Sequence, residues 1–577
     1  MNRLFACVAV LELVGCAKST QISTPFSTDW LSDSGQSIAA VEASLRNAPR
    51  PRNQAVVLAI TDRALQGVSL ASGQRWSYAA APDSAPSVAG DLVLFTSKGV
   101  LHALDAGSGK SRFQVSVEDM VLKGAGDDGS TTVVTLGTFD GRRSLFLALD
   151  HAGHEKTRLP TSIALGRPAV LGGVAFIPWS GQYVSAIDTS NSEELGRLLT
   201  REVVSHAFTA GGELFFGERA VLHFDQRIRD ASTRQSGRVA LPERVLPGQP
   251  RWLGPGSEVS IVDPSARAKI RLYASPRYDG QQVSFASNAF LATYFRAVMS
   301  FDAKTAELRA VQALPGAVLG GSAARSGFVL CGADGKVTYF GTQGGVLDGP
   351  DFKTPVRGCV VEANEFELPK TNSAGTLAAQ LDRTLLSLEP EMAAAQAFLM
   401  TELGRLPDPS VSKTLIDLAS SARLAPDLRA RARQLLAQRR AGAEFMLAAL
   451  ERRYDFLASD ALPPPVGPLA DALAAMNEKR AAPLLARHLS DPATELADLE
   501  HAAKALETLA TAAELPSLKT FFALYRATAD EAPLVAAVVS VARALVRVGG
   551  PEERALVERA QHDPLTQPDV ARDLAGV

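Results

Sequence analysis

The sequence predicts a two-part protein: an all-β eight-bladed propeller followed by an all-α solenoid or helical bundle. Three observations carry that expectation. A short phrase, clearest as Leu101-His102-Ala103-Leu104-Asp105-Ala106-Gly107-Ser108-Gly109-Lys110, recurs eight times between residues 71 and 341. Past residue 372 the phrase stops, and apolar residues return at helical spacing, as in Leu377, Leu381, Leu385 and Leu388. At 577 residues the chain also exceeds what one compact core holds, so at least two domains are expected.

Aligned on the Asp, the copies fall at Ala71, Asp105, Asp150, Asp188, Asp225, Asp263, Asp302 and Gly341, at intervals of 34, 45, 38, 37, 38, 39 and 39 residues. A period in the high thirties, with each unit reading strand, turn, strand, is the spacing of a four-stranded propeller blade. The phrase has a local cause. An apolar strand must reverse into the next one, and an Asp at the bend accepts backbone N–H bonds two residues on, while Gly supplies positive φ without steric cost. The Asp residues of the repeat are thus read as turn residues, and the propeller as residues 51–366.

Before the repeats, Arg3 leads into a short apolar run at 4–11, then Leu13-Val14-Gly15-Cys16 and a polar stretch. The run is too short to span a bilayer, which takes about 20 apolar residues, and reads as a signal peptide over 1–15. Leu-Val-Gly-Cys resembles the bacterial lipobox. That resemblance implies that Cys16 is the first mature residue and the lipid attachment point, each buried methylene adding about 0.8 kcal/mol of membrane affinity. Ala17, not Asp, follows the Cys, which resembles the enterobacterial pattern for the outer membrane, so the expected place is its periplasmic face. The alternative is an ordinary secretory signal or a buried N-terminal segment. Residues 16–50, rich in Ser, Thr, Gln and Pro, read as a flexible tether with one short helix near 38–46.

Of four cysteines, Cys7 and Cys16 belong to the export segment. Cys331 ends an apolar strand of the eighth unit, and Cys359 lies in a later strand-like run that has no phrase of its own. The first unit lacks an opening strand before Val56. A ring closes if the late strand completes the first blade, which removes exposed edges. The two thiols then sit on neighbouring blades, either bridged in an oxidising envelope or as two buried, inert cysteines.

The second half, 373–577, is punctuated by Pro and Asp-Pro breaks that start successive helices, among them Asp408-Pro409, Asp491-Pro492 and Asp563-Pro564. The last two lie 72 residues apart. With the segments that precede them they resemble HEAT-type helical-hairpin repeats, which stack into a solenoid. A compact bundle is the competing reading.

The Ala-x-Asp-x-x-x-Gly-Lys phrase resembles the repeat of pyrroloquinoline-quinone propellers, a family that includes quinoprotein alcohol dehydrogenases and the assembly lipoprotein BamB. In the quinoprotein branch a Trp closes each phrase, a vicinal Cys pair flanks the cofactor, and carboxylates with an Asn hold calcium. Here Trp76 fills the Trp position once and Phe113 once, and no adjacent Cys pair exists. The resemblance therefore implies the family's fold without its cofactor or catalytic residues.

Other chemical candidates read as surface. His151 and His154 form a His-x-x-His pair without nearby Cys, more in keeping with a solvated loop than with metal ligands. Asp127-Asp128-Gly129 lacks the alternating ligands of a calcium loop and reads as a hairpin tip. Arg429, Arg431, Arg433, Arg439 and Arg440 spread over several faces of a helix. The formal net charge of −3 gives no basic excess for nucleic acid. The expected function is that of a membrane-anchored, non-enzymatic envelope lipoprotein scaffolding protein partners and needing no cofactor. The alternative is a quinone- or ligand-binding propeller with a redox or sensor role.

Overall fold

The computed structural model describes residues 25–27, 38–200, 203–210, 213–218, 220–223, 238–240, 261–263, 268–278, 283–452 and 462–577. Antiparallel sheets occupy the chain up to Glu362 and helices the remainder, the two-part class the sequence predicts. The signal peptide, Cys16 and Asp225 lie outside the described residues.

In the second and third sheets the outer strand is largely exposed. The second strand is largely apolar because it is covered on both faces by neighbouring sheets: Leu92–Ser97, Val174–Trp179 and Gly327–Gly332 are buried at every position. The outer strand Ser111–Ser116 instead buries only Phe113. Seven apolar clusters fill the interfaces between successive sheets. The last of these interfaces joins the seventh sheet to the first, so the sheets form a ring.

The ring closes through the strand Gly358–Glu362, which pairs antiparallel with Val56–Ile60 and completes the first sheet. Cys359, opposite Ala59 on that strand, is disulfide-bonded to Cys331 of the seventh sheet, with 6.2 Å between their Cα atoms. Hydrogen bonding thus holds the closing strand to the first blade while a covalent bond pins it to the last.

The described residues do not give eight complete sheets. Among the described residues there are seven sheets of four or five strands and one two-stranded hairpin, not eight four-stranded sheets. The copy at Asp263 departs from the pattern of the others. Its strand, Ile261–Asp263, pairs with Ala268–Tyr273 as an added fifth strand of the sixth sheet, so Asp263 does not turn between the last two strands of a sheet of its own.

The phrase proves to have a second role, in docking blade to blade. Trp76, on the outer strand of the first sheet, lies over Gly109 in the turn of the second, where a Cβ would come within 2.5 Å of the ring. Its indole Nε1 donates to the Ala106 carbonyl, one residue after the phrase Asp, at 3.0 Å. Phe113 lies in the same way over Gly153 of the third sheet, and Ala310 over Gly344 of the seventh. Thr157 keeps the hydrogen bond without the ring, donating to the Thr189 carbonyl, again one residue after the phrase Asp, at 2.6 Å. The turn glycine is therefore needed both for its positive φ, +70° at Gly109, and for the space it leaves.

Parts of the expected tether are packed on the ring. Phe26 is buried edge-on to Trp179 with ring centroids 6.2 Å apart, and the Ser27 carbonyl accepts from Arg197 at 2.5 Å. Helix α1 (Ile38–Ser44) places Ile38 and Val41 in the core between the fourth and fifth sheets.

Twelve α-helices follow among the described residues: α2 (Leu377–Ser387), α3 (Ala393–Arg405), α4 (Ser410–Ala419), α5 (Pro426–Ala437), α6 (Ala443–Glu451), α7 (Val466–Ala475), α8 (Ala482–His488), α9 (Leu496–Leu509), α10 (Leu515–Tyr525), α11 (Ala532–Val548), α12 (Pro551–His562) and α13 (Pro568–Leu574). The odd-numbered helices α3 to α13 pack in series as one layer, and the even-numbered α2 to α10 as another. The Asp-Pro breaks share one geometry, Asp408, Asp491 and Asp563 each accepting the amide two residues on at 2.9 Å.

The two halves share a core. Helix α2 packs on the outer strand of the sixth sheet, Leu308–Ala313, where the buried Gln380 accepts the Val311 amide at 3.0 Å. The Phe301 and Phe398 rings approach to 6.0 Å, and Arg296 pairs with Glu389 at 2.7 Å.

Replacing Trp76 by Ala is expected to destabilise the ring by about 3–5 kcal/mol, read as a lower denaturant midpoint. Trp76→Phe should cost less, because Phe113 shows that a phenyl ring alone fits over the glycine. Replacing both Cys331 and Cys359 by Ser should cost about 2–4 kcal/mol, and non-reducing peptide mapping should recover the two cysteine peptides linked.

Candidate functional site

Inner strands from all seven sheets converge on one axial cavity of about 430 Å³. They approach closely because small residues occupy the contact points. A Cβ on Gly124 would lie 2.4 Å from Cγ of Arg167, and one on Gly320 would lie 2.4 Å from the Cys359 carbonyl oxygen.

The lining is cationic. Lys123 comes from the third sheet, Arg167 from the lead-in to the fourth, His206 from the fifth, Arg271 from the sixth and Arg357 from the lead-in to the closing strand. No Asp or Glu is among the described lining residues. Arg271 donates from Nη1 to the carbonyls of Val318, at 3.0 Å, and Leu319, tying the sixth sheet to the seventh. Arg357 pairs with the exposed Asp62 at 2.9 Å.

Arg167 and His206 also line a narrower cavity on the other side, together with Asn53, Glu362 and Asn364, and so divide the axis. They face each other as a bridge between backbones. Glu362 accepts from Asn53 Nδ2 and from the Asn364 amide, each at 3.3 Å, while burial pushes its carboxyl above the usual range. Burial draws the Arg167 guanidinium below its usual range, an effect the charge of Glu362 opposes. Burial and then the charge of Arg167 lower His206 to about 3, so its imidazole is neutral at neutral pH.

The residues that sequence reasoning singled out do other work. The phrase carboxylates cap turns: Asp105 accepts the Ser108 amide at 2.9 Å, Asp150 the Ala152 amide at 2.9 Å, Asp188 the Ser190 amide at 2.8 Å and Asp302 the Lys304 amide at 2.8 Å. These donors hold Asp150 and Asp302 down to about 2, led by the amides of His154 and Thr305 respectively. His151 and His154 do not converge. The first meets Asp127 at 2.8 Å and the second Asp150 at 2.9 Å. Asp128 accepts the amides of Ser130 and Thr131 in its own turn and that of Gly173 in the next sheet, at 2.7 Å, so it joins two blades. Among the described residues no three His, Cys, Asp or Glu cluster as a metal site.

The arginine run separates in space. Arg439 is buried and holds the carbonyls of Leu406 and Asp408 at 2.7 and 2.8 Å, Arg433 pairs with Asp498, and Arg429 holds the Leu424 carbonyl.

The axial cations were missed because each is isolated in the sequence. A faint signal exists: Lys123, Arg167 and His206 follow one another at 44 and 39 residues, tracking the phrase intervals of 45 and 38, so they recur at one place in the blade.

No family model matches the chain, and no curated protein is similar to it. Among solved structures it is similar to BamB from Moraxella catarrhalis, at 16% identity and TM-score 0.30, covering 53% of this chain and 85% of that one. It is also similar to the dihydro-heme d1 dehydrogenase NirN, at 13% identity and TM-score 0.34, covering 55% of this chain and 81% of that one. At those scores neither likeness assigns a role to any residue here.

The depressed His206 sets a direction for acid sensitivity. Between about pH 6.5, where the unfolded chain takes up this proton, and about 3, where the folded chain does, the unfolded state binds more protons, so the fold loses stability as pH falls. Thermal unfolding followed from pH 7.5 to 4.5 should show a smaller loss in His206→Gln than in the parent.

Proposed function

We propose that the chain is a membrane-anchored, non-enzymatic envelope lipoprotein that holds protein partners on a rigid composite surface. The observation that carries this reading is the core shared by the sixth sheet and α2–α3, which fixes the helical half against the ring instead of leaving it on a linker. A scaffold needs two surfaces in constant relation, and a buried joint supplies that. The two alternating layers of helices favour the HEAT-like reading, whose curved stacks present broad faces to proteins. Leu13-Val14-Gly15-Cys16 supports attachment through a lipid on Cys16, with the periplasmic face of the outer membrane as the place. The disulfide at the seam is in keeping with an oxidising compartment.

The cationic axial cavity favours a second reading, in which the ring also holds a ligand and the protein acts as a sensor or redox carrier. A quinone absorbance or bound metal in protein purified from its native envelope would support that alternative.

Cell fractionation tests the anchor. The parent should sediment with membranes, Cys16→Ala should not, and a variant that stays membrane-bound overturns the lipid attachment. Crosslinking in intact cells should give discrete protein adducts, and their absence overturns the scaffold.

A further inference from the structure

We propose that the axial cavity is a binding site for a small polyanion, a molecule bearing two or more phosphate or carboxylate groups. Three features of the cavity support this. Lys123, Arg167, Arg271 and Arg357 bring four permanent cations to one space of about 430 Å³, with no carboxylate among its described lining residues, in a protein whose formal net charge is −3. Such a concentration of one sign inside low-dielectric walls focuses the field on whatever enters.

The cations also differ in how they are satisfied. Arg271 is engaged with carbonyls and Arg357 with Asp62. Among the described residues the side chains of Lys123 and Arg167 have no hydrogen-bond or ion-pair partner, and Arg167 is held where its charge is poorly solvated. Glu362 lies beyond Arg167, in the narrower cavity, and does not line this one. The charge of Glu362, across in the narrower cavity, offsets the cost of that poorly solvated cation only in part, and an oxyanion seated against Arg167 from this side would offset more of it.

Shape fits the same ligand class. The volume lies within the range of small-molecule sites. Gly320 and Gly321 leave backbone instead of side chains at the wall, and Arg167 with His206 closes the inner end, so a ligand enters from the side of Lys123 and Arg357. A fork-shaped guanidinium at the closed end suits the paired oxygens of phosphate or carboxylate.

The test uses the full chain, with inorganic pyrophosphate and citrate as separate probes in calorimetric titration at constant ionic strength. Saturable binding of either supports the site, and the tighter probe tells phosphate from carboxylate. Lys123→Gln, which changes an exposed side chain and leaves the packing alone, and Arg167→Gln should each weaken that binding by about ten-fold or more. Arg142→Gln, at an exposed hairpin tip outside the cavity, should leave it unchanged. Failure of both probes to bind the parent, equal binding by both cavity variants, or equal weakening by Arg142→Gln overturns the proposal.

Discussion

A ring of sheets has no free edge only if its last strand reaches its first, and in this protein that condition rests on five residues. Gly358–Glu362 lies hydrogen-bonded along Val56–Ile60 with every residue in register, so the first blade is built from chain segments about three hundred residues apart. Without that pairing the inner strand of the first sheet is missing, the cluster between the seventh and first sheets loses Cys359, Val361 and Ala363, and the axial cavity has an open wall. The Cys331–Cys359 bond acts on the same five residues from the other side. It ties the closing strand to the blade that precedes it, while the hydrogen bonds to Val56–Ile60 hold it to the blade that follows. Long-range pairing of this kind carries a large loop-closure cost in folding.

Closure also explains how the blades can be individually irregular. Three joints share one geometry, a side chain of the outer strand over the glycine of the following turn, but the contact ranges from an indole with a hydrogen bond at Trp76 to a methyl group at Ala310. A ring held at both ends tolerates weak joints that an open stack would not. The sixth sheet takes further support from outside the ring: its outer strand is covered by α2, and Phe301 and Phe398 belong to one core with the helices. The helical half is thereby part of the packing of the propeller, and its own two layers extend from that joint.

The axis is where closure has electrostatic consequences. Seven inner strands meet there, and a charged side chain on any of them is brought toward charged side chains on the others whatever their distance along the chain. In the larger axial cavity the charges are of one sign. Glu362 moderates Arg167 from the far side, and the neutral imidazole of His206 avoids adding a fifth charge.

The sequence by itself determined whatever depends on neighbours along the chain. The Asp and Gly of the phrase named the turns, because their hydrogen bonds run to amides two to four residues on, and the change of period past residue 372 named the helices. The missing opening strand before Val56 and the surplus strand at Cys359 even indicated where the ring closes. Tertiary structure alone decided that the strand ending at Asp263 joins a neighbouring sheet, that Phe26 and α1 pack on the ring, that the helices share the core of the sixth sheet, and that five cationic or basic side chains meet on the axis. The physical reason is the same in each case: those contacts join residues from different units, each unremarked in its own surroundings, and only packing brings their chemistry together.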